Sequence, residues 1–465
     1  MKILYALRQY LKLFFDQIRN EKLKKNLLQA VPFWFASVLT GLIAVLYTRL
    51  FIAAEQITTI LFSYHPAVLF VLTPCCFILA WALVQKFAPY ARGSGIPQVM
   101  AAIMISAPKT GALVDKLISF RIIVVKMVSS LIMAVGGGAI GREGPTIQIA
   151  ASIYKLVYRV LPPWWPKISR VNMLVTGAAA GLAAAFNTPL GGIVFAIEEL
   201  TKTHFSYYKT AIFSSVIIAG ISAQAILGPY LYLGFPKIEG LSPYIFLSVA
   251  VVAAVSGLLG ALMAKSILLI FAWKSRFKLR SFHLLYVLCS ALVMASLAYF
   301  VTRDVLGSGK NIMEMTLFSS AKNVRWYIPL LRIIGPVASF TTGAAGGIFA
   351  PALGAGASVG SVIAGWFHQS PSDTNLLILA GMVSLLTGVT RSPFTSVILV
   401  LEMTDKHTVI FHLILAGMIS SLIAVLIDRH SFYDHLKVQY VRELNSTKDT
   451  EMTEQVSRAE IENHH

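Results

Sequence analysis

Two charges stand where the sequence is otherwise almost wholly apolar. Arg142 and Glu143 lie in Gly141-Arg142-Glu143-Gly144-Pro145, after Gly136-Gly137-Gly138 and before an apolar run that reaches Val157. A charge at membrane depth is costly and marks a pathway, a proton relay or a paired structural site. Pro145 suits the first turn of a helix, where a missing N–H does no harm, and the glycines permit backbone that a side chain would block. The stretch predicts a helix that begins inside a membrane, with free N–H groups and the positive end of its dipole facing a small anion. A carboxylate there takes the anion's place when ionised and leaves the path when protonated. Glu143 therefore has the chemistry of a proton-sensitive gate, and coupling anions to protons would need a second proton stop on the other side. Other charges in apolar surroundings are Lys126, the adjacent pair Glu198-Glu199, Arg332 and Glu402.

The elements that must hold these groups are hydrophobic. Of the 465 residues, 56% are hydrophobic and 13% charged, against about 25% charged in a soluble domain. The chain reads as an all-α polytopic membrane protein. Its net charge of +18 fits positive-inside loops and anionic headgroups rather than nucleic acid. Residues 1–30, with Lys2, Arg8, Lys12, Arg19, Lys22, Lys24 and Lys25, predict a cytoplasmic amphipathic segment on the membrane surface. Val31 to Ala54 and Ala67 to Ala88 are each long enough to span. Met173 to Leu200 is interrupted at Phe186-Asn187-Thr188-Pro189, leaving two halves too short to cross straight. Residues 442–465 read as a polar, disordered tail ending in a possible tag remnant. No removable signal peptide is evident. Cys75, Cys76 and Cys289 read as small hydrophobes, and no His, Cys or carboxylate spacing suggests a metal.

The two parts 31–230 and 231–441 echo each other. Gly93-Ser94-Gly95 matches Gly307-Ser308-Gly309, Lys126 matches Arg332, and Gly144-Pro145 matches Ala350-Pro351. Asn187-Thr188-Pro189 followed by Glu198 matches Arg391-Ser392-Pro393 followed by Glu402. Repeated halves with hydrophobic segments broken by Gly and Pro point to a transporter-type site at the midplane. The helix starts after Gly93-Ser94-Gly95, Gly141-Arg142-Glu143 and Gly346-Gly347-Ile348-Phe349 are the converging N-termini. Gly307-Ser308-Gly309-Lys310 is not a phosphate loop, since the first glycine and the final Ser/Thr of that motif are missing.

The motifs Gly93 to Pro97 (GSGIP), Gly141 to Pro145 (GREGP) and Gly346 to Pro351 (GGIFAP) together resemble the CLC family of chloride channels and H⁺/Cl⁻ antiporters, of a prokaryotic type without CBS domains. The resemblance covers about 31–440. It implies two inverted-topology repeats with broken and tilted helices, and a homodimer with one pathway per subunit. It also implies roles. Ser94 and Tyr433 would supply hydroxyls to a central chloride, and Ile348 and Phe349 backbone N–H groups. Arg142 and Glu143 would also belong to the chloride-binding set, with Glu143 as the outer gate and Glu199 as the inner proton relay. Channel members commonly lack the inner acid, so the presence of both favours H⁺/Cl⁻ exchange, with a passive chloride channel on the same fold as the alternative.

Gln98 and Met100 stand where some antiporters carry acidic residues, which withholds any extra carboxylate from the inner proton path. Ser94 favours chloride, since nitrate-preferring relatives have proline there. Glu198 and Glu402 read as structural, and Lys126 and Arg332 as pairing with a charge or binding carbonyls near the path. No nucleophile–base constellation suggests an enzyme, and no cofactor is implied beyond chloride as substrate. The expected location is a bacterial plasma membrane with both termini cytoplasmic.

Overall fold

The computed structural model describes residues 20–106, 111–201, 209–228, 231–320 and 322–446. Most of the expected surface segment, 1–19, and the tail from 447 lie outside the described residues. Helix α1 (Glu21–Tyr64) and α2 (Leu69–Phe87) form the first hairpin, followed by α3 (Ile96–Met104), α4 (Gly111–Leu117), α5 (Phe120–Val135), α6 (Glu143–Val160), α7 (Arg170–Phe186) and α8 (Pro189–Phe195). The chain continues through α9 (Lys209–Leu227), α10 (Ile245–Lys274), α11 (Arg280–Phe300), α12 (Lys310–Phe318), α13 (Ile328–Phe340), α14 (Phe349–Trp366), α15 (Pro371–Thr390), α16 (Pro393–Thr404) and α17 (Ile410–Ile427). The last helix, α18, spans 432–446.

Two expected boundaries fall inside helices. Helix α1 begins at Glu21, so the division at residue 30 falls inside a helix, and α18 runs past 442 to 446. Apolar runs mark membrane depth, whereas good helix formers such as Glu21, Lys22, Leu23, Lys24 and Lys25 carry a helix beyond it.

Among the described residues, nine helical stretches are long and apolar enough to cross a membrane, and the chain is a multi-pass integral membrane protein. Others are broken. Helices α7, α13 and α16 have 17, 13 and 12 residues, short of the roughly 20 that a straight crossing needs. The breaks have matching causes. Asn187 at φ 57° ends α7 and Pro189 starts α8, while Arg391 at φ 63° ends α15 and Pro393 starts α16.

Helix α15 is buried on every side and α14 on nearly every side. Hydrocarbon gives little drive for apolar helices to associate, so close backbone approach must hold them. Small residues provide it, since a Cβ on Gly356 would collide with the backbone of Gly381, and one on Gly360 with that of Leu377. This also explains why these innermost helices are less apolar than α10 and α17, whose Leu247, Phe411 and Leu426 face outwards.

Candidate functional site

The three glycine motifs are tied together by backbone alone. Gly141 N donates to Gly347 O at 2.8 Å and Gly347 N to Gly141 O at 2.7 Å. Gly93 N donates to Ala344 O at 2.8 Å and Gly346 N to Gly93 O at 3.1 Å. These are the two isolated bridges, Gly93 with Ala345 and Gly141 with Gly347. Irregular backbone at membrane depth is tolerated only where such pairing or a cavity satisfies it. The pairing brings the starts of α6 and α14 into contact, so that a Cβ on Gly347 would lie 3.1 Å from Gly144 N.

The starts of α3, α6 and α14 lack a side-chain cap, as do most other helix starts among the described residues. The first N–H groups of a helix have no intrahelical carbonyl, so three sets of donors with partial positive charge gather here.

The sequence-predicted site residues Ser94, Arg142, Glu143, Glu199, Ile348, Phe349 and Tyr433 are all buried. Ser94 stands against the start of α6, where a Cβ on Gly144 would collide with its Oγ. The Tyr433 hydroxyl is its neighbour and interacts with it, but neither hydroxyl has a further protein partner. Two buried orphan hydroxyls side by side are costly unless a ligand or water uses them. The Phe349 ring packs on Tyr433 at 6.2 Å between centroids, placing the start of α14 beside the same point.

Glu143 is the first residue of α6. Its Oε2 has no protein partner, and the Tyr232 hydroxyl lies 3.4 Å from Oε1. Arg142 does not take the paired-charge role, because its Nη1 donates to Thr48 O at 3.4 Å and its guanidinium lies 5.9 Å from the Tyr232 ring. Lys310 approaches the same ring at 5.0 Å. Tyr232 was missed by sequence reasoning: one of three tyrosines in the stretch between α9 and α10, it carries no signal of its own.

Glu199 lies at the other end of the arrangement, in the π-helical turn Ala196–Leu200 that extends α8. The Ser392 hydroxyl donates to its Oε2 at 2.7 Å. Both Glu199 and Glu143 lie within electrostatic reach of the Tyr433 hydroxyl. A cavity of about 210 Å³ lined by Arg92, Ser94, Lys274, His283, Tyr440 and Glu443 leads to Ser94.

The flanking charges resolve into structural ties. Lys126 Nζ donates to Ala91 O at 2.9 Å and Gly93 O at 2.7 Å, and Arg332 Nη1 donates to Leu306 O at 2.9 Å and Gly307 O at 3.2 Å. Each fully buried cation thus holds the loop before its own Gly-Ser-Gly. Gln98 Nε2 donates to Arg92 O at 2.6 Å and to the Tyr440 hydroxyl at 3.1 Å, fastening α18 to the first motif, and Met100 is core.

Glu198 and Glu402 cap each other's halves. Glu198 accepts from Phe394 N at 3.1 Å and Thr395 N at 2.7 Å at the start of α16, and Glu402 from Leu190 N at 3.0 Å and Gly191 N at 2.6 Å at the start of α8. Charge-assisted caps of this kind are the stronger hydrogen bonds. Glu402→Ala is expected to destabilise the protein by about 1–2 kcal/mol, the usual range for a lost N-cap. A lowered thermal unfolding midpoint in detergent checks it, and an unchanged midpoint refutes the cap's contribution.

The fold is shared with solved structures. A slow cyanobacterial Cl⁻/H⁺ antiporter matches with a TM-score of 0.77 at 23% identity, over 90% of this chain and 99% of that one. A CLC-type fluoride/proton antiporter matches at 0.73 and 21% over 89% and 98%. A eukaryotic CLC transporter matches at 0.71 and 19% over 89% and 74%. Residues 75–425, well over half of the chain and bracketing every motif except Tyr433, match the family described as voltage gated chloride channel. The broken helices and backbone-tied motifs are therefore those of a known family, and the chain belongs to the voltage gated chloride channels, the CLC family.

Proposed function

We propose that this protein is a secondary active transporter, not an enzyme, that exchanges chloride for protons across the membrane. The observation that carries this reading is the pair of buried orphan hydroxyls, Ser94 and Tyr433, beside the uncapped starts of α6 and α14. Hydroxyl and N–H dipoles replace an anion's water without the full positive charge that would trap it. Glu143 and Glu199 on either side supply two proton stops, one at an anion-binding helix start and one at the far end of α8. Chloride is held by Ser94, Tyr433 and the N–H groups of Ile348 and Phe349. Arg142 adds positive potential, and Glu143 alternates with the anion.

The test is uphill transport. Purified protein in liposomes with a chloride gradient and no proton gradient should move protons against their gradient, read by a pH dye. Chloride flux without proton movement would replace exchange with the passive channel.

We place the basic N-terminus and α18 on the cytoplasmic side of a bacterial plasma membrane, with the turn between α1 and α2 outside, following the positive-inside rule. The two parts of the chain form repeats of inverted topology. The assembly is a homodimer, for which the outward apolar residues Leu190, Ile221, Phe411 and Leu422 on α8, α9 and α17 offer a surface. Cross-linking in the membrane that gives only monomer would remove that part of the proposal.

A further inference from the structure

The second Gly-Ser-Gly turn repeats the first in backbone. Gly93 and Gly95 have φ of 62° and 102°, and Gly307 and Gly309 have 69° and 91°. A buried cation holds each turn, Lys126 in one case and Arg332 in the other. Both precede a helix without a side-chain cap of its own, α3 and α12. They differ in what occupies the serine. At Ser94 the hydroxyl is an orphan beside the proposed chloride position. At Ser308 the backbone N–H donates to Glu55 Oε1, a carboxylate from α1, at 2.7 Å.

That carboxylate projects into a cavity of about 320 Å³ lined by Ser308, Lys310, Asn311, Arg303 and Arg332. Arg332 is fully buried there and its Nε has no protein partner. The cavity includes Phe62 near the end of α1, whereas the one at Ser94 includes Trp81 and Gln85 near the end of α2, so the two lie at opposite ends of the α2 crossing. The second turn thus has the donors, dipole and nearby cations that favour an anion, and a negative group of the chain itself sits on them.

We propose that the cavity at Gly307–Gly309 is a second halide site whose resident anion is the tethered carboxylate of Glu55, and that chloride takes the Ser308 N–H when that charge is removed. A carboxylate fixed on a neighbouring helix has a high effective concentration and excludes a dilute free anion. Neutralising it leaves Arg303 and Arg332 against Asp304 in the cavity, with Lys310 paired to Glu314 at 3.3 Å. Glu55 is also within electrostatic reach of Glu143, so occupancy of the second site bears on the proposed gate. The inference borrows its anion chemistry from the reading of Ser94.

Crystals of wild type, Glu55→Gln and Glu55→Ala grown in bromide separate the possibilities. Anomalous scattering should place bromide on Ser308 N in Glu55→Ala, and in Glu55→Gln unless the amide oxygen keeps the N–H, with no bromide there in wild type. The same maps show whether each variant has folded unchanged. No bromide at Ser308 in either variant overturns the proposal, as does bromide in wild type beside an undisplaced Glu55. Bromide at Ser94 is read independently in all three. Its absence would count against the principal anion site and leave the Ser308 result standing by itself.

Discussion

Glu143→Gln is expected to abolish proton movement and leave a chloride flux that no longer varies with pH. The glutamine has the shape of the protonated acid but cannot ionise. Wild-type Glu143 is buried at the first position of α6, with Oε2 folded back against Gly141, where a Cβ would collide with it. No cation forms an ion pair with it among the described residues, and the Tyr232 hydroxyl lies 3.4 Å from its Oε1. In the proposed exchange, an ionised carboxylate competes with chloride for the donors of α6 and α14. An uncharged amide competes poorly and carries no proton. A positioned proton-transfer group contributes on the order of 100-fold or more to the step it serves, so coupled proton flux should fall by at least about that factor while chloride passage continues. Parallel records from a chloride electrode and a pH dye in liposomes check it. Uphill proton movement in the variant would remove Glu143 from the gate.

Much of this site was legible in sequence because each part breaks a local rule. Arg142 and Glu143 are expensive charges, Pro145 and Pro351 open helices in apolar runs, and four features of one part of the chain have a mate in the other. Of the two readings of Lys126 and Arg332, pairing with a charge or binding carbonyls, the structure shows the second. What could not be read depends on contacts between distant segments. Tyr232 reaches Glu143 from the stretch before α10, and Glu55 reaches Ser308 from α1. Tyr232 is ordinary in its own neighbourhood, and Glu55, the one Asp, Glu, Lys or Arg between Arg49 and Lys86, marks a costly charge without naming its partner. Arg142 stayed ambiguous for the same reason, since only the fold shows Thr48 and Tyr232 as its partners. The start of α1 could not be read from the apolar run because polar helix formers carry the helix beyond it.

Adjacent glutamates are the hardest case for sequence, and they carry the second large prediction. Glu199→Gln should stop proton transport and retain chloride transport, whereas Glu198→Gln should keep coupling and reduce stability. One-residue spacing separates two side chains by about 100° on a helix, and here they meet different partners. Glu198 is half of the reciprocal capping arrangement, bonded to two backbone N–H groups and the Thr395 hydroxyl of α16. A carboxylate held by fixed donors serves as structure. Glu199 accepts from the Ser392 hydroxyl, a group that can rotate and donate or accept, and it lies within electrostatic reach of Tyr433. The two variants therefore test one geometric distinction: loss of coupling in Glu199→Gln with coupling kept in Glu198→Gln supports it. The reverse result would make the capping carboxylate the relay. Unchanged coupling in both would route protons to Glu143 by a path that uses neither residue.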